Sequence, residues 1–127
     1  MARILRIYLA AYTVLRLNRV MVKNCAKGGI FVDGSAFDIR NTTITGSGAG
    51  EIGGGLTWGG VRVQALPPSG PTRFELVTIK DNKGPGLSCA SAVMGTGLLA
   101  QGNSTREITL ACGITSCASP GPDCGAQ

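Results

Sequence analysis

The chain has 127 residues, enough for a single domain, and 20 of them are glycine, more than twice the roughly 7% share of average proteins. Its low charged fraction (15%) and high apolar fraction (43%) exclude a disordered charged tail, and the absence of histidine excludes Ser-His-Asp and Cys-His triads and histidine zinc sites. The net charge is +5, and the basic residues crowd into the stretch before the first acidic residue, Asp33. Because aromatic residues do not alternate with them, as a base-stacking surface requires, we predict no nucleic-acid partner.

The N-terminal stretch 7–15 is apolar and follows basic residues, as in a signal peptide. It lacks a small-residue cleavage site, however, and Arg16 and Arg19 follow at once. It is also shorter than the roughly 20 apolar residues that cross a bilayer. We therefore predict that residues 1–20 belong to the folded unit, that no segment spans a membrane, and that an export signal would lie outside this sequence.

A short strand pattern recurs along the chain, usually directly after a glycine. Its first apolar residues stand at positions 7, 30, 61, 87 and 108, as in Gly29-Ile30-Phe31-Val32. A second strand pattern precedes it at 17–22, 39–44 and 76–79, and turn residues lie between the two. Alternation of apolar and polar residues without helical periodicity favours short strands that stack as repeated units.

Each unit is predicted to form one coil of a parallel β-helix, with its strands about 4.8 Å from those of the next coil. Asn24 and Asn82 stand at similar turns and are expected to join one hydrogen-bonded ladder. Two insertions interrupt the repeat, the glycine-rich stretch 46–60 and the proline-containing stretch 65–72, which is expected to be a loop. The alternative is a β-sandwich, for which Asp33-Gly34 is the only clear hairpin turn.

The segments Gly28-Gly29-Ile30-Phe31-Val32 and 81–87 (DNKGPGL) resemble the right-handed parallel β-helix, or pectate-lyase-like, superfamily, in particular its exported bacterial repeat-containing proteins. The resemblance covers about residues 7–110. It implies an all-β, right-handed parallel β-helix (solenoid) of about five coils with two inserted loops over 1–110, followed by a Cys/Gly/Pro-rich tail over 111–127. Members of the superfamily carry more coils and an N-terminal cap. The resemblance therefore implies that this chain is a fragment, with uncapped coil ends that favour self-association.

Three of the five cysteines crowd into the C-terminal tail, and these are the disulfide candidates: Cys112, Cys117 and Cys124. Such a tail is typical of an oxidising compartment, so we predict a secreted or cell-surface protein. Free buried thiols are the alternative. No Cys-x-x-Cys pair is present, and we predict no metal site.

Enzymes of the resembled superfamily cleave acidic polysaccharides, using carboxylates or calcium together with a basic residue. Asp38 and Glu75 each follow a phenylalanine on adjacent predicted coils, which suggests an acid/base pair, and Arg62 is the candidate basic residue of a lyase. The alternative interpretation is a surface ladder of charges that contributes little to stability. No cofactor is predicted. Calcium is the alternative, but the seven acidic residues are scattered along the chain.

A binding cleft is predicted on the outer face that carries Arg62. Phe31 would form its floor, and Trp58 of the first insertion would form its rim, since aromatic rings pack well on sugar rings. Alternatively, Trp58 packs the inserted loop onto the coil. The function predicted from these features is a non-catalytic exported or cell-surface module that recognises a polysaccharide or a surface protein. The alternative is a polysaccharide lyase or glycoside hydrolase, or the remnant of one.

Overall fold

The computed structural model describes residues 2–4, 7–9 and 14–114, which form short strands and one 3-10 turn. The strands follow from the alternation in the sequence. In the strand Val14–Asn18, for example, Leu15 and Leu17 are buried and the alternate residues Val14, Arg16 and Asn18 are exposed. Within the described ranges no helix is long and apolar enough to cross a membrane.

Three parallel sheets make up most of the fold. In spatial order, the first sheet contains β1 (Ala2–Ile4), β4 (Val20–Lys23), β7 (Thr43–Thr45), β12 (Thr78–Lys80) and β15 (Leu99–Gln101). The second contains β2 (Ile7–Leu9), β5 (Ile30–Asp33), β10 (Val61–Ala65) and β13 (Leu87–Cys89). The third contains β3 (Val14–Asn18), β6 (Ala36–Arg40), β11 (Thr72–Glu75) and β14 (Met94–Thr96). The chain visits the three sheets in rotation, so the all-β class with parallel sheets is confirmed, and the rotation is compatible with the predicted β-helix.

The register of the second sheet agrees with the sequence repeat. Ile7 lies opposite Ile30, Ile30 opposite Val61, and Val61 opposite Leu87, while an isolated bridge joins Leu87 to Ile108. The last four of these side chains are fully buried. The repeat positions 7, 30, 61, 87 and 108 therefore form one column through the stacked units, as predicted.

A column of glycines directly precedes these positions. A Cβ added to Gly29 would lie 2.7 Å from the carbonyl oxygen of Gly60, and one added to Gly86 would lie 2.7 Å from that of Glu107. A Cβ on Gly60 would collide with the carbonyl oxygen of Gly86, which accepts a hydrogen bond of 2.8 Å from the Val61 amide. The repeated glycine therefore lets consecutive units approach closely enough to pair.

Two insertions depart from the rotation, both within the predicted stretches. The first forms an antiparallel hairpin of β8 (Gly50–Gly53) and β9 (Leu56–Trp58). The second, residues 66–71, connects β10 to β11 and contains no strand. Beyond β15, Cys112 and Ile114 are buried in the core, so the start of the predicted tail packs onto the sheets.

A buried asparagine ladder runs along the bend between the first and second sheets. The Asn82 side chain donates 2.8 Å to Oδ1 of Asn103 and 3.3 Å to the Ile44 carbonyl, and its Oδ1 accepts 3.0 Å from the Ser47 amide. The prediction that Asn24 joins this ladder is wrong by one position. The register of the first sheet aligns Lys23 with Lys80, so Asn24 aligns with Asp81.

Glu107 terminates the ladder at the last described unit. Its carboxylate accepts hydrogen bonds from the amides of Gly102 (2.9 Å) and Asn103 (3.0 Å) and from the Asn103 side chain (2.7 Å). The Asn103 amide and side chain thus donate to Glu107 in the same way that those of Asn82 donate to Asn103.

Left-handed backbone conformations recur at equivalent places in successive bends. The bend between the third and first sheets uses Arg19, Asn41, Leu76 and Gly97, and the bend after the first sheet uses Asn24, Gly46, Asp81 and Gly102. Glycine, asparagine and aspartate adopt this conformation most readily. Leu76, with φ 52°, is therefore strained, and it is also 58% exposed.

We expect Leu76→Asn to stabilise the protein by about 1 kcal/mol, because asparagine tolerates the left-handed region and little apolar burial is lost. Urea denaturation monitored by circular dichroism measures this. Leu110→Asn is the control, since Leu110 is similarly exposed (52%) but has no positive φ. A loss of stability in Leu76→Asn, or an equal gain in both variants, would contradict the strain argument.

Candidate functional site

A cleft of about 470 Å³ opens beside the second sheet, between the hairpin and the segment that follows β15. Residues from three parts of the chain line it. Strands β10 and β13 contribute Arg62, Ser88 and Cys89, and the hairpin contributes Ile52, Leu56 and Thr57. The segment after β15 contributes Thr105, Arg106, Thr109 and Ala111, and Pro85, just before β13, completes the lining. A volume of this size is typical of small-ligand sites.

Arg62 is held in a fixed orientation within this cleft. Its Nε donates 2.9 Å to Oε1 of Gln64, and its Nη1 donates 2.7 Å to Oγ of Ser88. Partial burial lowers the pKa of Arg62 from its ordinary value, but a guanidinium in a protein stays protonated. Its Nη2 has no hydrogen-bond partner in the described part of the chain. A positioned cation with an unused donor group is therefore available to a ligand.

The rest of the lining strengthens the preference for an anion. Arg106 supplies a second positive charge, and none of the described residues that line the cleft is acidic. Four hydroxyl groups also line it: Thr57, Ser88, Thr105 and Thr109. Guanidinium groups bind carboxylates and other planar or tetrahedral anions strongly, and hydroxyls both donate and accept hydrogen bonds. The cleft thus suits a ligand that carries both anionic and hydroxyl groups.

Phe31 and Trp58 lie outside this lining. Their ring centroids are 5.6 Å apart, and Trp58 is only 1% exposed. The Trp58 ring lies against the backbone of Gly28 and Gly50, where an added Cβ would collide with it. The structure corrects the prediction that Trp58 rims the cleft, because the ring has no free face for a sugar. Its placement agrees with the alternative, in which it packs the inserted loop onto the sheets.

The two predicted catalytic carboxylates lie on the third sheet, and their predicted alignment is wrong by two residues. Asp38 lies opposite Arg73, and Glu75 lies opposite Arg40. Asp38 accepts hydrogen bonds of 2.9 and 3.0 Å from Arg40 and of 3.1 Å from Arg73. These bonds, first those from Arg40, hold the pKa of Asp38 well below its ordinary value. A carboxyl group that stays ionised is a poor general acid.

The three predicted catalytic residues are not brought to one sheet. Arg62 lies on the second sheet, whereas Asp38 and Glu75 lie on the third. The charged residues around Asp38 form a ladder across the third sheet. Arg16 on β3 lies opposite Asp38, and Oε2 of Glu75 lies 3.6 Å from Nε of Arg40. This arrangement agrees with the alternative interpretation of a surface ladder.

No three Cys, Asp or Glu side chains converge on a possible metal site within the described residues. Cys112, one of the disulfide candidates, bonds to Cys89, whose participation was not predicted. The candidates Cys117 and Cys124 lie outside the described residues.

Arg62 was predicted from the sequence, whereas Arg106, the second cation in the lining, was not. Arg106 stands two residues before Ile108, the last position of the repeat, and Ile108 bridges to Leu87 on β13. Alternation from the inward Ile108 would place Arg106 on the inward face, beside Pro85, so the repeat contains no signal for its position in the cleft. Comparisons with protein-family models, with curated proteins and with solved structures gave no match to this chain. Any functional assignment consequently depends on the geometry of the cleft.

Proposed function

We propose that this chain is a non-catalytic recognition module that binds acidic carbohydrate in the cleft beside Arg62. In this proposal the three sheets are the faces of a right-handed parallel β-helix of about five coils, of the pectate-lyase-like type, in a secreted or cell-surface protein. The observation that carries it is the cleft itself, in which a positioned guanidinium with an unused Nη2 lies among hydroxyl groups, and the described lining residues include no acidic side chain.

The proposed architecture is supported by the order of the strands. Each strand pairs in parallel with the strand three steps along the rotation, apart from the hairpin insertion. Connections between parallel strands of one sheet are right-handed in about 98% of cases. Left-handed residues at equivalent bends and the single column of repeat positions also favour stacked coils of one kind. The Cys89–Cys112 disulfide supports an oxidising compartment.

The chemistry of a uronic acid fits the lining well. Its carboxylate would accept a charge-assisted hydrogen bond from Nη2 of Arg62, and its hydroxyls would pair with the threonine and serine side chains. The apolar side chains of Ile52 and Leu56, from the hairpin, would contact the C–H face of the sugar ring. A neutral sugar would leave the arginine charge without a partner.

The non-catalytic part of the proposal is supported by the carboxylates. Glycoside hydrolysis requires an acid and a base flanking one bond, about 5–10 Å apart. Asp38 is occupied by Arg40 and Arg73, and the described residues that line the cleft include no carboxylate at all. A lyase that uses Arg62 as its basic residue is the remaining enzymatic alternative, because Arg62 lines the cleft.

We expect Arg62→Ala to weaken binding of a short oligogalacturonate by about tenfold or more, because a charge-assisted hydrogen bond contributes roughly 1.5–3 kcal/mol. Isothermal titration calorimetry measures the affinity, with and without calcium. Arg16→Ala is the matched control, since Arg16 is an exposed arginine on the third sheet.

Three results of this titration would count against the proposal. Equal affinity of Arg62→Ala and the parent chain would mean that the cleft is not the site. Equal affinity for a neutral galactan would mean that charge is not recognised. Release of unsaturated products that stops in Arg62→Ala would replace the binding module by the lyase alternative.

A further inference from the structure

We propose that the Cys89–Cys112 disulfide is a redox control of the cleft, so that the oxidised chain binds the anionic ligand and reduction weakens binding. This inference rests on the proposed function. Its physical basis is that one wall of the cleft belongs to residues 105–111, at the edge of the second sheet, to which the disulfide fastens them.

The disulfide joins the two parts of the cleft directly. Cys89 is the last residue of β13 and lines the cleft, while Cys112 ends the 3-10 turn Leu110–Cys112. Thr109, another lining residue, contacts both cysteines. Its Oγ1 accepts 3.2 Å from the Cys89 amide and lies 3.4 Å from Sγ of Cys112. A change at the disulfide therefore directly affects residues that line the cleft.

Besides the disulfide, this wall is attached by the buried Ile108 side chain, by the hydrogen bonds that Glu107 accepts and by backbone hydrogen bonds. Backbone hydrogen bonds from the amides of Gly86 and Leu87 reach the carbonyls of Arg106 and Glu107, each at 3.0 Å, and the Thr109 amide donates 2.9 Å to the Leu87 carbonyl. Within the described residues the segment pairs with β13 on one side and with no strand on the other. Segments at the edge of a sheet open more readily than its central strands. Reduction would therefore loosen Arg106 and Thr109 while the central strands stay paired.

The route of reduction is through the cleft. Cys89 is 4% exposed and borders the cleft, whereas Cys112 has no exposed surface. The thiolate of a dithiol reductant attacks Sγ of Cys89, and the Cys89–Cys112 bond breaks with Cys112 leaving as a thiolate. The second thiol of the reductant then displaces Cys89. Two electrons pass from the dithiol to the protein, which ends with two thiols, and the reductant ends as a disulfide.

The thermodynamic coupling between ligand binding and reduction acts in both directions. If reduction weakens ligand binding, then bound ligand must by the same factor favour the disulfide over the dithiol. A ligand in the cleft also covers the approach to Cys89. The oxidised state and the occupied cleft are therefore expected to stabilise each other.

The test compares the affinity for a short oligogalacturonate of the oxidised chain, the dithiothreitol-reduced chain and the double variant Cys89→Ser/Cys112→Ser. We expect the last two to bind about tenfold more weakly or worse. The variant Cys117→Ser/Cys124→Ser is the control for the remaining tail cysteines and should bind like the oxidised parent. In parallel, hydrogen exchange of the Leu87 and Thr109 amides should accelerate on reduction, while that of the Ile44 amide should not.

The outcomes separate the two proposals. An oxidised chain that does not bind overturns the proposed function and, with it, the redox control. Equal binding by oxidised and reduced chains overturns the redox control alone. Loss of Ile44 protection on reduction also overturns it, because the disulfide would then hold the whole fold rather than the wall. The third measurement is a titration in redox buffers, which gives the midpoint at which half of the chain has the disulfide. A midpoint that does not shift with saturating oligogalacturonate would also overturn the redox control.

Discussion

Replacing Gly60 by alanine should destabilise the protein by about 3 kcal/mol or more. The added Cβ would collide with the carbonyl oxygen of Gly86 and with the side chain of Ile79. The carbonyl belongs to the backbone of the next unit and accepts the Val61 amide, so it cannot move without breaking that pairing. The cost should appear as a lower urea midpoint with an unchanged slope.

Gly54→Asn is the control for this substitution. Gly54 has φ 60°, which asparagine tolerates, and nothing lies within 4 Å of an added Cβ. We expect it to change stability by less than about 0.5 kcal/mol. If Gly60→Ala were as mild as the control, the glycine column would not be what allows the units to stack closely.

Replacing Asn82 by alanine should cost about 2–4 kcal/mol. The substitution leaves the Ser47 amide without its acceptor and the Ile44 carbonyl without one of its donors, both in the buried interior. A buried polar group that loses its partner, as the Ser47 amide does, costs roughly 1–3 kcal/mol, and the lost bonds to Asn103 and the Ile44 carbonyl add to this. Thermal and urea unfolding both report the loss.

Asn24→Gly provides the matched control for the ladder. Asn24 is exposed and has φ 58°, a conformation that glycine adopts without strain. Its stability should therefore stay within about 0.5 kcal/mol of the parent. Comparable losses in the two variants would mean that both asparagines belong to one ladder, contrary to the observed register.

The sequence was most informative where apolar residues recur in a fixed frame. The column through Ile30, Val61, Leu87 and Ile108 could be predicted because a glycine or turn residue marks where each strand starts and alternation then fixes which residues face inward. Both insertions could be located because glycine and proline interrupt that alternation.

The alignment of Asp38 with Glu75 failed for a specific reason. Phe37 and Phe74 both face inward, with ring centroids 4.9 Å apart, yet Phe74 pairs with Ile39. A shift of two residues keeps every side chain on the same face of the strand, so the hydrophobic pattern cannot reveal it. At the bends no alternation of apolar and polar residues exists to fix the alignment. The predicted alignment of Asn24 with Asn82 was therefore wrong by one residue.

The candidate site was only partly predictable. Arg62 could be found because it stands between two inward valines on one strand. The opposite wall could not, since the segment around Arg106 forms no regular strand and reaches the cleft through contacts that are distant in sequence. The disulfide partner of Cys112 was equally hidden, because Cys89 is 23 residues away and stands in an ordinary strand position.

The hairpin β8–β9 is fixed at its base and unconstrained at its tip, which determines where the cleft can tolerate changes in sequence. Trp58 fixes the base of the hairpin, whereas nothing approaches within 4 Å of a Cβ placed at the tip glycines 53–55. Lengthening a flexible loop costs little, about 0.6 kcal/mol for each doubling. The tip is thus free of packing constraints while its neighbours Ile52 and Leu56 line the cleft. If the cleft binds the proposed ligand, changes in this one hairpin can alter the ligand preference while the paired sheets stay the same.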